Sequence, residues 1–304
     1  MNILVTGGLG AVGAPLVREL RDRGHSVWVA DRLHHHDPQY ARCDVGEFRQ
    51  VERLFEVEKF DYVYHLAAEF GRRNGEDFYE NLWLTNVVGT KNIIRMQERL
   101  GFHMIFTSSS EIYGDYGGVM CEDVPDKVPL KQLNDYAITK WVNELQILNS
   151  SRDFRTETVR VRLFNTYGPG EYYAEYRSAI CRFVYYALHG IPYVVYTGHK
   201  RTSSYVDDTV RTLTNIVENF RSGEVYNIAR NELHDMKRVS DIVLACVGRD
   251  DSLVQYRDIE EATTLIKNPD ISKAIRDLAH QPRVALEEGI ARTVAWQREV
   301  YRVG

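Results

Sequence analysis

The chain has 304 residues, with 38 Lys+Arg against 43 Asp+Glu, a formal net charge of −5, 44% hydrophobic and 27% charged residues. These values fit a soluble globular protein and exclude a disordered tail or a low-complexity polymer. The slight acidic excess argues against nucleic acid as a partner. No apolar run approaches the roughly 18 residues that span a bilayer, so no membrane partner is expected. The start, MNILVTGG, lacks the features of a secretory signal. Cys43, Cys121, Cys181 and Cys246 are scattered, which predicts reduced thiols and a cytoplasmic location.

In chain order, Ile3–Thr6 reads as a buried strand and Ala14–Arg23 as an amphipathic helix closed by Gly24. Strands follow at Val27–Ala30 and Arg42–Val45, then a helix ending near Lys59 and a strand at Tyr62–Ala67. Leu82–Leu100 is a long helix, Met104–Ser108 a strand, Tyr136–Ser150 a second long helix and Glu157–Leu163 a sixth strand. Strands alternating with helices, apolar on both faces, predict a doubly wound parallel sheet: an α/β, Rossmann-type fold. After residue 165 the rhythm breaks into Tyr-rich, Gly/Pro-punctuated segments, then Asp207–Phe220, Val225–Ile228, Lys237–Gly248, Asp270–Leu278 and a closing helix, Ala285–Tyr301. The expected division is residues 1–165 and a smaller mixed domain, 166–304, with part of 201–228 returning to the first.

Gly7, Gly10 and Gly13 lie between the first strand and the first helix. Gly7 permits a tight turn, Gly10 the approach of a pyrophosphate and Gly13 close helix–strand packing, while the helix N-terminus offers N–H groups to the phosphates. Ala11 and Val12 complete this loop. Asp31 ends the second strand and can accept hydrogen bonds from an adenosine ribose, which favours NAD; Arg32 beside it could accommodate a 2′-phosphate. Asp44 and Val45 are placed to touch the adenine. His34-His35-His36 does not match a metal-ligand spacing, and no metal is expected.

Tyr136 and Lys140 stand one helical turn apart and share a face. A nearby ammonium lowers a phenol's pKa, making Tyr136 a candidate base for a sugar hydroxyl. A second Tyr-x-x-x-Lys at Tyr196–Lys200 is interrupted by Gly198 and is read as chance. Thr107–Gly114 sets hydroxyls at the C-terminal edge of the fifth strand, where α/β ligands bind.

These segments, with His65-Leu66-Ala67-Ala68, Asn86–Thr90, Arg162–Pro169, Tyr205–Asp208 and Leu286–Ile290 in this order, resemble the extended short-chain dehydrogenase/reductase family, specifically its nucleotide-sugar epimerases and dehydratases. The resemblance covers nearly the whole length. It implies NAD in the N-terminal domain, with Leu66, Ala67 and Ala68 beside it, and a nucleoside-diphosphate sugar in the C-terminal one. It also implies a homodimer through the two long helices. Tyr136 would be the base, Lys140 the nicotinamide-ribose ligand, and Ser109 the group orienting the sugar. Asn165 would lie at the substrate diphosphate and Arg201 at a phosphate or ribose. Arg72, Ser110 and Arg257 are further candidates for the substrate.

The resemblance implies oxidation of the sugar at C4 as the first step. Glu111 then separates the outcomes, since epimerases of the family usually carry a small residue there. Its dTDP-glucose dehydratases carry Asp-Glu where this chain has Ser110-Glu111. Its GDP-mannose dehydratases and UDP-glucuronate decarboxylases carry Thr-Ser-Glu, which Ser109-Ser110-Glu111 fits with one change. A lyase, dehydratase or uronate decarboxylase, is therefore favoured, with a 4-epimerase as the alternative. A non-enzymatic dinucleotide sensor fits less well, because Ser109, Tyr136 and Lys140 are all present.

Overall fold

The computed structural model describes residues 1–303; the expected second domain, 166–304, thus ends one residue outside the described ones. Seven parallel strands form the central sheet: β1 Asn2–Thr6, β2 Ser26–Asp31, β3 Tyr40–Arg42, β4 Tyr62–His65, β5 His103–Ser109, β6 Thr158–Leu163 and β7 Val225–Ile228. Their spatial order is 7-6-5-4-1-2-3. The connection direction reverses at β1, which lies between β2 and β4, and such a reversal opens a crevice at the C-terminal ends of the strands.

Alternation along the strands fills two cores. Ile3, Val5, Val27, Val29, Ile105, Val159 and Val161 face one side, against Leu16, Val17 and Leu20 of helix α1 (Gly13–Asp22) and Val210 and Leu213 of helix Val206–Asn215. Leu4, Val63, Met104 and Phe106 face the other, against Val51 and Leu54, Ile93 and Ile94, and Ile147. The doubly wound architecture is as the sequence predicts. The first core continues without a break into Ile180, Phe183, Val184, Val239, Val243, Ile290 and Val294, so the C-terminal part packs directly on the sheet.

Several boundaries differ from expectation. The third strand is Tyr40–Arg42, paired with Val29–Asp31, and Cys43–Val45 lies beyond its end. The fourth strand stops at His65, which frees 66–71 as a loop over the crevice. The long helix is composite: Tyr79–Trp83, a π-helical segment Leu84–Val88, and Gly89–Leu100. At Gly89 a Cβ would come within 2.7 Å of a Val45 methyl, so the helix presses on the loop after β3. The helix Ala179–His189 was not anticipated. Its apolar run obscured the periodicity, yet its ends are signalled by Ser178, whose hydroxyl accepts from Cys181 N, and by left-handed Gly190.

Candidate active site

One cavity of about 1090 Å³ follows the C-terminal ends of the strands and continues into the C-terminal part. It is lined by every candidate site residue named above: Gly7, Gly10, Ala11, Val12, Gly13, Asp31, Arg32, Asp44, Val45, Leu66, Ala67 and Ala68 for the cofactor, Ser109, Ser110, Glu111, Tyr136 and Lys140 for the chemistry, and Arg72, Asn165, Arg201 and Arg257 for the substrate.

The glycine loop is fixed by contact. Gly7 has φ +72°, and a Cβ there would lie 2.7 Å from Ala67 N. A Cβ on Gly13 would sit 2.2 Å from Gly7 O. Helix α1 begins without a side-chain cap, leaving its first N–H groups without a side-chain acceptor. The Asp31 carboxylate accepts from Leu9 N at 3.1 Å and Leu33 N at 3.2 Å, tying the end of β2 to this loop. Arg32 is paired with Glu69 at 2.9 Å, across the crevice. Beneath the loop, His65 joins Thr6 Oγ1 at 2.8 Å and Thr90 Oγ1 at 3.0 Å. Burial, aided by the charge of Lys140, pushes its pKa down to about 3, so it is a neutral bridge between β1, β4 and the long helix.

Helix Asp135–Phe154 is capped by Asn134, whose side chain accepts from Ala137 N at 2.9 Å, and this cap places Tyr136 and Lys140 in the cavity wall. Tyr136 is buried, packed edge-on by Phe70 at 6.1 Å, with Ser109 beside its hydroxyl. Lys140 Nζ donates to Thr107 O at 2.8 Å and lies 5.9 Å from the Tyr136 ring centroid. Burial lowers Lys140 to about 8, with Glu144 working the other way. Burial also holds the Tyr136 hydroxyl above the ordinary phenol range; the Ser109 side chain opposes this and the Glu111 charge adds to it. The spacing argument anticipated a lowered phenol. Desolvation outweighs an ammonium that faces a backbone carbonyl.

Beneath Ser109, Ser108 donates to Glu144 at 2.6 Å. Glu144 is fully buried between Arg162 at 2.8 Å and Arg160 at 3.2 Å. Its burial favours the neutral acid, but Arg162 and Arg160 hold the carboxyl below its usual range. Arg162 also donates to Tyr113 at 3.0 Å, and Tyr113 donates to Asn227 of β7 at 2.8 Å, so the segment that carries Ser109 and Glu111 is braced from below.

Glu111 reaches the cavity from the one-turn helix Ser110–Tyr113. Its carboxylate is ion-paired with Lys267. Burial alone would raise its pKa, but Lys267, then Arg201, then a hydrogen bond from Asn134 leave it lowered. Arg201 donates to Lys200 O at 2.9 Å and Leu265 O at 2.8 Å. Arg72 pairs with Glu260 at 2.6 Å, closing the loop after β4 onto the 257–267 segment. Asn165, at φ +40°, donates to Thr202 O at 2.8 Å. Lys267, His199, Glu260, Arg177 and Arg182 also line the cavity and were missed. Only the caps of helix Ala179–His189 offered a local signal for the last two.

Among the described residues no group of three or more His, Cys, Asp or Glu is placed to hold a metal. His34, His35 and His36 are exposed, with His34 beside Arg42. No helix among the described residues is long and apolar enough to cross a membrane.

A model of the NAD dependent epimerase/dehydratase family matches residues 3–229. The chain belongs to this family. A UDP-N-acetyl-alpha-D-glucosaminuronate decarboxylase of Bacillus cytotoxicus is 29% identical over 98% of each chain. The UDP-glucose 4-epimerase of Thermotoga maritima, solved with UDP-glucose, is 25% identical with a TM-score of 0.90, covering 99% of this chain and 100% of that one. MoeE5, solved with UDP-glucuronic acid and NAD, is 27% identical with a TM-score of 0.88 and the same coverage.

As a member of the family the protein uses NAD. The residues present fit that cofactor. The close-packed glycine turn, the uncapped helix N-terminus and the carboxylate at the end of β2 stand where a pyrophosphate and a ribose are held in a doubly wound sheet.

Proposed function

We propose that the protein removes the C6 carboxyl group of a nucleoside-diphosphate uronate as CO₂. The observation that carries this is Glu111, kept ionised beside Tyr136 and ion-paired with Lys267, with Arg201 and Arg72 in the same cavity wall. Loss of water from C6 needs a proton donor for the departing hydroxyl, and a carboxylate paired with an ammonium serves poorly as that acid. Loss of CO₂ from a sugar with a carbonyl at C4 needs no such acid. The C5–C6 electron pair passes into the carbonyl, hydrogen-bond donors at its oxygen stabilise the charge, and C5 of the resulting enolate then takes a proton from water before C4 is reduced again.

NAD, when bound, would supply a hydride acceptor for C4 and the hydride for its later reduction. Gly7, Gly10, Ala11, Val12 and Gly13 would hold its pyrophosphate, Asp31 and Arg32 its adenosine side, Asp44 and Val45 the adenine, and Leu66, Ala67 and Ala68 its inner edge. Lys140 would grip the nicotinamide ribose. Ser109 and Tyr136 hold the C4 oxygen, and Tyr136 takes its proton. Asn165 and Arg257 face the diphosphate, while Ser110, Arg72 and Arg201 border the sugar. In this reading residues 1–165, completed by β7, serve the cofactor and the remainder serves the sugar nucleotide.

Two further elements belong to the reading. Four unpaired cysteines support a cytoplasmic location. An exposed apolar face, with Leu84, Val88, Leu145 and Leu148 each 38% or more exposed on two adjacent helices, supports a homodimer.

The test is incubation with UDP-glucuronate and NAD, followed by NMR and measurement of CO₂. A UDP-pentose with stoichiometric CO₂ is expected. Tyr136→Phe should lower turnover by about 10²–10⁴-fold with unchanged circular dichroism. A 4-keto-6-deoxy product from a neutral NDP-hexose, with no CO₂ from any uronate, overturns the reading. Likeness to the Thermotoga maritima UDP-glucose 4-epimerase favours a second reading, 4-epimerisation, in which the same incubation gives the galacto isomer and no CO₂.

A further inference from the structure

Lys267 lies 156 residues from Glu111 in sequence, yet its ammonium pairs with that carboxylate and reaches the Ser110 hydroxyl at 3.4 Å. Its side chain is only 2% exposed. The backbone on both sides fixes it: Lys267 N donates to Lys200 O at 3.0 Å, and the next two residues, Asn268–Pro269, pair with Val119–Met120. The ammonium is therefore built into the wall and does not fall there from a flexible tail.

A buried ammonium beside two guanidinium groups is costly unless it meets a charge. Arg72 is already engaged by Glu260. Arg201 forms no ion pair among the described residues; its Nη1 is held by two backbone carbonyls, and its Nη2 faces His199 Nδ1 at 3.2 Å and Thr263 Oγ1 at 3.5 Å. Glu111 without Lys267 would place a bare negative charge next to Tyr136, on the side where the C4–C6 edge of a sugar must lie. A neutral hexose would tolerate that charge. A uronate would meet it with its own carboxylate.

We propose that Lys267 is the specificity-determining residue that admits an anionic sugar: paired with Glu111 it cancels that charge, and the C6 carboxylate of an NDP-uronate can lie beside the pair and be held by Arg201. Lys267 acts through Glu111 and is a positioning residue. The inference rests on the uronate reading above.

The test compares the affinities of the NAD-loaded protein for UDP-glucuronate and UDP-glucose by calorimetry, in the unsubstituted chain, Lys267→Met, Glu111→Gln and the double variant. Lys267→Met should weaken UDP-glucuronate about tenfold or more, since like charges a few ångströms apart repel strongly at low effective dielectric, and leave UDP-glucose nearly unchanged. The double variant, which carries neither charge, should recover the uronate affinity. Lys267→Arg should retain it. A double variant as weak as Lys267→Met would mean that Lys267 grips the substrate itself, and would overturn the proposal. So would equal weakening of both ligands, which is what a merely structural lysine would give. Failure of the uronate reading is distinguishable, because the unsubstituted protein would then show no preference for UDP-glucuronate.

Discussion

Asn86 holds Glu69 by both of its backbone polar groups: its Oδ1 accepts from Glu69 N at 2.8 Å and its Nδ2 donates to Glu69 O at 3.1 Å. The same Nδ2 lies 3.1 Å from Thr139 Oγ1, on the turn between Tyr136 and Lys140. Asn86 is 1% exposed and sits within the π-helical segment Leu84–Val88, a distortion common near functional sites. One side chain thus fixes the loop over the crevice to the helix that carries Tyr136. Asn86→Ala leaves two backbone groups without partners and should cost about 1–3 kcal/mol in denaturant unfolding. It should also weaken NAD retention through gel filtration. Unfolding and NAD content equal to the unsubstituted protein would show that the loop is held by other means.

The fully buried Glu144 carries a second prediction. It neutralises Arg162 and Arg160 and accepts from Ser108. Glu144→Gln strands two buried or nearly buried guanidinium groups, and breaking such a pair typically costs about 3–5 kcal/mol. Ser108→Ala removes one hydrogen bond and should cost about 1 kcal/mol. Chemical denaturation of the three proteins checks this order. It fails if Glu144→Gln is no less stable than Ser108→Ala.

His65 makes stability depend on pH with a defined sign. Its folded pKa, about 3, lies below the ordinary 6.5 because burial excludes the charged form. Its contribution is therefore complete above about pH 6.5 and is lost as pH falls toward 3, where the unfolded chain binds a proton that the folded chain refuses. At about 1.4 kcal/mol per pKa unit, the loss reaches the order of 5 kcal/mol. Unfolding midpoints between pH 7 and 4 should fall less steeply in His65→Gln. An NMR titration showing His65 protonating near pH 6.5 in the folded protein would remove the basis of this prediction.

The same residues explain what the sequence could reveal. Gly7, Gly13, Asp31, Tyr136 and Lys140 work through spacing within one turn or one strand–helix unit, and local spacing is visible in a chain. The Glu111–Lys267 pair is not visible, because it depends on how the 264–269 segment is pinned between residues 200 and 119–120. Glu260 and Arg72, 188 residues apart, are hidden for the same reason. The strand-end error at Arg42–Val45 has a local cause: an apolar-looking run continues past the pairing with Val29–Asp31 and becomes the cavity loop that Asn92 holds through Val45 O at 2.9 Å. The Tyr136 phenol is raised where its spacing from Lys140 predicts a lowered one, because desolvation is a property of the packed site and is absent from local spacing.

The apolar face on the two long helices supplies the last prediction. Leu84 and Val88 are one turn apart in the π segment, and Leu145 and Leu148 one turn apart on helix Asp135–Phe154. Gln146 Nε2 reaches Val87 O at 3.3 Å, so the two pairs lie on adjacent helices. Their exposures of 43, 43, 42 and 38% describe a patch that solvent does not favour, and in the proposed homodimer a second copy of the chain would cover it by a two-fold arrangement. Leu84→Glu combined with Leu148→Glu places like charges against one another across that two-fold axis. Light scattering coupled to size exclusion should give a dimer for the unsubstituted protein and a monomer for the double variant, with the same far-ultraviolet circular dichroism. A monomeric unsubstituted protein, or a variant that remains dimeric, would mean that this face does not join the two copies.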